Sequence, residues 1–117
     1  MITPATLNLT VYRGTDFELV VRRLVEVDGD AYDLTDWTPI AQVRATASSG
    51  TLITTLNATL GTPTNGEVEM SLTPTATLAL AAGEYVWDLL FEDPDGVRSG
   101  PYLAGRFVVA EPVTKFP

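Results

Sequence analysis

Carboxylates are the only side chains in this sequence numerous enough to suggest chemistry. There are 15 acidic residues and no histidine or cysteine. Asp28, Asp30 and Asp33 gather around one turn signal, and Glu92, Asp93 and Asp95 around another. A calcium site needs several oxygen ligands converging on one point. Asp28-Gly29-Asp30 does not follow the EF-hand pattern, which alternates acids before its glycine and closes on a glutamate. Aspartate also tolerates turn conformations and bonds nearby backbone, so both clusters read as turn chemistry. Neither a metal nor a cofactor is expected.

Asp88 is more unusual, because it stands in mid-strand between Trp87 and Leu89. Arg106 on the last strand is its expected partner across the sheet, a surface pair contributing ~0.2–1 kcal/mol. A catalytic acid would need a second carboxylate and a cleft, and the sequence signals neither. Without histidine the usual general base and metal ligand are missing, and without cysteine there is no thiolate or disulfide. Glycine-rich phosphate loops are absent as well. No catalytic, cofactor-binding or metal residue is assigned, and the chain is read as a non-enzyme. In Arg13-Gly14-Thr15-Asp16 the threonine separates this stretch from an Arg-Gly-Asp tripeptide, leaving a plain turn. Tyr32, Trp37 and Tyr102 are candidates for a sugar-binding platform. The competing reading, favoured here, folds Trp37 over the sheet end as core.

With 7 basic residues the net charge is −8. Such a chain repels phosphate backbones, so nucleic acid is not an expected partner. No run approaches the roughly 18 apolar residues of a membrane helix, so no membrane partner is expected. Met1-Ile-Thr-Pro-Ala-Thr6 lacks the basic and apolar regions of a signal peptide. It is read as the natural start of a complete, cytosolically made protein. The 117 residues are expected to form one domain (1–117), with extended ends near 1–5 and 111–117. A chain of that size buries a core without staples.

Turn residues recur about every ten positions among Thr, Val and Leu, which predicts an all-β sandwich of seven to eight strands. Leu7, Leu9 and Val11 alternate with polar residues as a first strand. Phe17, Leu19 and Val21 mark a second strand that continues toward Leu24 and Val27, with a bulge or solvent exit near Arg22 and Arg23. Asp28-Gly29 predicts a hairpin, with 31–37 folding back as an edge strand. The third main strand is Thr38 to Thr46, with Ala41, Val43 and Ala45 inward. Thr51 to Leu60 follows with Leu52, Thr54 and Leu56 on one side, then Val68, Met70 and Leu72 face in from the next strand. The stretch 74–82 predicts one short helical turn, begun by Pro74, closed by Gly83, and dropping Leu78 and Leu80 into the core. Tyr85, Trp87, Leu89 and Phe91 alternate as the centre of the core. The last strand covers Val97 to Ala110 and is interrupted at Gly100-Pro101, since proline donates nothing to a ladder. Val86 and Leu90 are apolar on the face opposite the core. They predict either packing under the helical turn or an assembly surface.

Two resemblances attach to these residues. Ala81-Ala82-Gly83-Glu84-Tyr85-Val86-Trp87 resembles the immunoglobulin-fold corner Asp-x-Ala-x-Tyr-x-Cys, with Tyr85 in the tyrosine-corner place and Trp87 where the cysteine would stand. There is no cysteine pair, and Ala81 replaces the aspartate. The second covers most of the chain. Gly14-Thr-Asp-Phe17, Asp33-Leu-Thr35, Ala41-Gln-Val-Arg44, Gly66-Glu-Val-Glu-Met-Ser-Leu72, Leu80 through Asp88 and Gly105-Arg-Phe-Val-Val109 together resemble small Ig-like structural proteins of tailed bacteriophages. These include baseplate and fibre-attachment domains such as the N-terminal domain of siphophage upper baseplate proteins.

That resemblance implies an Ig-like sandwich, a place in the virion after synthesis in the host cytoplasm, and a role as a tail or baseplate adaptor. It implies binding to other virion proteins or fibres and assembly as a trimer or hexamer. A capsid decoration protein and a carbohydrate-binding module using Trp37 are the alternatives.

Overall fold

A computed structural model describes residues 5–22, 32–48 and 51–114. Asp28 and Asp30, the predicted Asp28-Gly29 hairpin, the continuation toward Val27 and Arg23 lie outside the described residues.

The described strands are β1 (Ala5–Thr6), β2 (Leu9–Tyr12), β3 (Phe17–Val21), β4 (Thr38–Arg44), β5 (Leu52–Thr55), β6 (Asn57–Leu60), β7 (Val68–Leu72), β8 (Gly83–Glu92) and β9 (Arg98–Ala110). One helix, α1 (Pro74–Leu78), and a 3-10 turn over Pro63–Asn65 join them. A six-stranded sheet runs β1-β9-β8-β4-β5, with β2 also paired to β9. A three-stranded sheet runs β3-β7-β6. Strands β3, β7 and β6 take the B, E and D places of an Ig-like sandwich, and β4, β8 and β9 the C, F and G places. The predicted all-β, Ig-like class is therefore the observed one. The described strand pairs are antiparallel, as expected of that class, except at one edge, where β1 and β2 run parallel to β9. Parallel neighbours need a long crossover, and nearly the whole domain supplies it.

The core lies between the sheets. Val11, Ala41, Val43, Trp87, Leu89, Phe91, Phe107 and Val109 meet Val68, Met70 and Leu72, all buried, with Phe17 and Leu19 packed against them. Phe17 crosses the gap to Phe107, ring edge to face, at 5.9 Å. The alternations over 7–11, 17–21, 41–43, 68–72 and 85–91 point these residues inward as period-two strands require.

Several elements depart from their sequence patterns. Residues 32–37 form no strand. They make a loop in which Leu34 is fully buried and its N–H donates to the Pro63 carbonyl (2.9 Å), so one apolar anchor replaces a ladder. The predicted strand 51–60 is two strands, because the chain changes sheets at buried Leu56. Thr54 and Leu56 keep their inward side, but Leu52 is 46% exposed. The pairing steps from Val43–Thr54 to Arg44–Leu52, making Ile53 a bulge residue that turns Leu52 outward.

Helix α1 ends at Ala79 rather than at Gly83, which already begins β8. Leu80 is buried as predicted, whereas Leu78 is exposed and Thr77 is the helix's buried residue. Finally, β9 runs unbroken through the cis Gly100-Pro101 bond. Leu89 pairs with Leu103 and Phe91 with Ser99, so Pro101 sits in a bulge where no ladder donor is demanded.

Candidate functional site

The turn between β2 and β3 is more than a plain turn. Gly14 has φ 79°, a left-handed conformation that glycine adopts without cost. Its N–H donates to Thr77 Oγ1 (3.0 Å), and that hydroxyl lies 2.8 Å from the Thr15 carbonyl, to which it donates. Arg13 reaches the carbonyls of Leu80 (Nε, 2.7 Å) and Leu78 (Nη2, 2.8 Å) and pairs with Glu111. These bonds clamp the turn to the end of α1, satisfy the carbonyls of its last residue Leu78 and of Leu80 just beyond it, and explain why Thr77 is the inward residue. The clamp joins residues more than 60 apart, so local spacing held no sign of it.

The corner preceding β8 has the predicted form. Tyr85 Oη donates to the Ala81 carbonyl at 2.7 Å, the tyrosine-corner bond. Two residues on, Trp87 is buried and its Nε1–H donates to the Leu7 carbonyl at 2.9 Å. That carbonyl also explains Gly105: a Cβ there would lie 2.1 Å from the Leu7 oxygen, so the first strands could not approach β9.

The three rings considered for a sugar platform are packed, and Trp37 lies against the core as the favoured reading expects. Tyr32 meets Tyr102 at 5.2 Å, Tyr102 meets Phe91 at 5.1 Å, and Trp37 meets Phe91 at 5.9 Å. Tyr102 is buried, and Tyr32 and Trp37 lean on the core. The described acids of the two turn clusters do turn work. Asp33 accepts from Thr35 Oγ1 (2.6 Å) and Thr35 N–H (3.1 Å), and the hydroxyl bond first, the backbone bond second, hold its carboxyl below the usual range. Asp93 accepts from the N–H groups of Asp95 and Val97, each at 2.9 Å. Glu92 pairs with Arg98 at 3.0 Å. Among the described residues no three acids converge as metal ligands.

The outer face of the six-stranded sheet is concave. A hollow of about 600 Å³ is lined by Val86, Leu90, Pro101 and Ala104, with Arg44 and Asp88 at its polar side. A second hollow of about 290 Å³, reaching Ile40 and Arg98, shares Gln42, Asp88 and Leu90. Val86 and Leu90 therefore line an open face and do not pack beneath α1. The bulge at Pro101 and the small Ala104 leave the depression between β8 and β9.

Asp88 lies between the two hollows, and its predicted pairing is corrected. It is opposite Ala104 and Gln42, whereas Arg106 is opposite Val86 and pairs with Glu84 at 3.6 Å. Burial pushes the Asp88 carboxyl above its ordinary pKa, and the positive charge of Arg44 only partly offsets this. The Arg44 guanidinium itself donates to Gln42 Oε1 at 2.9 Å. Sequence reading noted Val86 and Leu90 on this face, but the mismatch at Asp88 depends on a register that only the bulged pairing sets.

No protein-family model matches the chain, and no curated protein does. Among solved structures, a Bacteroides vulgatus protein assigned as a glycoside hydrolase aligns over 88% of this chain, with 14% identity and a TM-score of 0.46. The alignment spans 16% of that longer chain. A likeness of that degree carries no argument about activity.

Proposed function

We propose that this chain is a structural protein of a tailed-phage virion, an adaptor of the tail or baseplate that holds other virion proteins or fibres. One observation carries the reading beside the motif resemblance: the outer face of the larger sheet is hollowed, and Val86, Leu90, Pro101 and Ala104 line the hollow among its polar residues, where a solitary sandwich would be polar throughout. A protein that works by being covered needs such a face. The carboxylates of Asp33, Glu92 and Asp93 are occupied in local bonds, and the rings that would serve a carbohydrate module pack against one another. Both features favour assembly over chemistry or sugar binding.

The reading is tested by gold-labelled antibody against the chain on purified particles, viewed in negative stain. Label at the tail end supports it. Label spread over the shell would replace it with a capsid decoration role. Particles that lack the chain by mass spectrometry would overturn both.

A further inference from the structure

Glu84, Asp88 and Glu92 recur every fourth residue along β8, so all three project from its outer face. Strand β9 supplies a cation to the first and the last: Arg106 to Glu84 and Arg98 to Glu92. Opposite the middle acid it supplies Ala104. Among the described residues Asp88 makes no ion pair and accepts no hydrogen bond. It is also half-buried between two hollows with aliphatic walls. Arg44 offsets the burial of this carboxylate only in part, and a further cation relieves the remainder.

We propose that the trough centred on Asp88 is a docking site for an extended segment of a partner polypeptide that places a lysine ammonium on the Asp88 carboxylate. The lysine's aliphatic stem lies along Val86 and Leu90, as long charged side chains cover apolar surface while their heads seek polar partners. The two hollows extend to either side of Asp88 and offer more room than one side chain fills, so residues flanking the lysine are accommodated. The net charge of −8 draws a cationic segment toward the chain. Arg44 in the larger hollow and Arg98 in the smaller are the opposing charges; the first is engaged with Gln42 and the second is paired with Glu92. The inference rests on the adaptor reading and names the chemistry that its apolar face accepts.

The test is a titration of the isotope-labelled protein with acetyl-Val-Leu-Lys-Leu-Val-amide, followed by NMR shifts, beside the same peptide with norleucine in place of lysine. Shifts confined to Val86, Asp88, Leu90 and Ala104, weakened about tenfold both by norleucine and by Asp88→Asn, are the expected result. No shifts on this face, or equal affinity of the two peptides, would overturn the proposal. Equal binding by the Asp88→Asn variant, shown folded by its dispersed spectrum, would do the same. Spermidine matching the lysine peptide would make the site one for free amines and overturn the polypeptide assignment. Particle labelling can succeed while this titration fails, which separates the docking chemistry from the virion reading.

Discussion

On the inner side of β8, Trp87, Leu89 and Phe91 are sealed into one core with Phe107 and Val109, and Tyr85 packs against it. On its outer side Glu84, Val86, Asp88, Leu90 and Glu92 alternate acids, the first and last of them paired with arginines, with half-covered aliphatics. The two faces share a backbone and differ in what completes them. The inner face is complete within the chain, since Phe91 meets the rings of Trp37 and Tyr102 and the Trp87 indole has its acceptor. The outer face is less complete at Asp88, which among the described residues accepts no hydrogen bond, makes no ion pair and has only the Arg44 charge against its burial. A fold tolerates such a site at a cost in stability when the missing partner arrives from elsewhere.

Mutations can break this contrast. Phe91→Ala has the largest expected effect, a loss of about 3–5 kcal/mol by chemical denaturation, because a fully buried ring leaves a cavity. A near-neutral result would show that the core is centred elsewhere. Leu90→Ala, one residue away on the other face, is expected to cost under about 1.5 kcal/mol, since its side chain is only half-covered. Equal losses at 90 and 91 would erase the distinction between the faces.

Asp88→Asn is expected to act in the opposite direction and raise the melting temperature at neutral pH. The sign follows from linkage: the folded-state pKa is raised, so the folded chain binds this proton more tightly than the unfolded one. Asp88 therefore costs stability at a pH above its raised folded value. That cost is relieved as pH falls toward the ordinary carboxylate range. Calorimetric scans should show the variant's advantage shrinking in acid. An advantage independent of pH would contradict the desolvation account. Arg106→Ala is expected to change stability by no more than about 0.5 kcal/mol, because its pair with Glu84 is solvent-exposed. A larger loss would mean that the outer ion pairs do structural work.

The inward alternations and the tyrosine corner were legible because each is local: period-two patterning assigns a face, and the corner bond spans four residues. Leu78 and Thr77 show where such reasoning stops. Hydrophobicity favoured burying the leucine. The turn at 13–15 instead offers a hydrogen-bond donor and an acceptor for the threonine, and residues one apart on a helix face different ways. Leu52 and Pro101 teach the same lesson in strands, since a single bulge changes which face a residue takes or whether its N–H is needed.

Composition and alternation by themselves determined an all-β sandwich with Trp87, Leu89 and Phe91 at its centre, because burial of apolar side chains on a period of two has few other solutions; its Ig-like type rested on the resemblance of the Tyr85 corner. Tertiary structure alone decided that the first strands lie parallel to the last, that Arg13 and Thr77 lock a turn to a helix, and that Ala104 rather than Arg106 faces Asp88. Each of these depends on register or on contacts between residues far apart in sequence, and a one-residue slip in pairing would have exchanged every partner across the sheet.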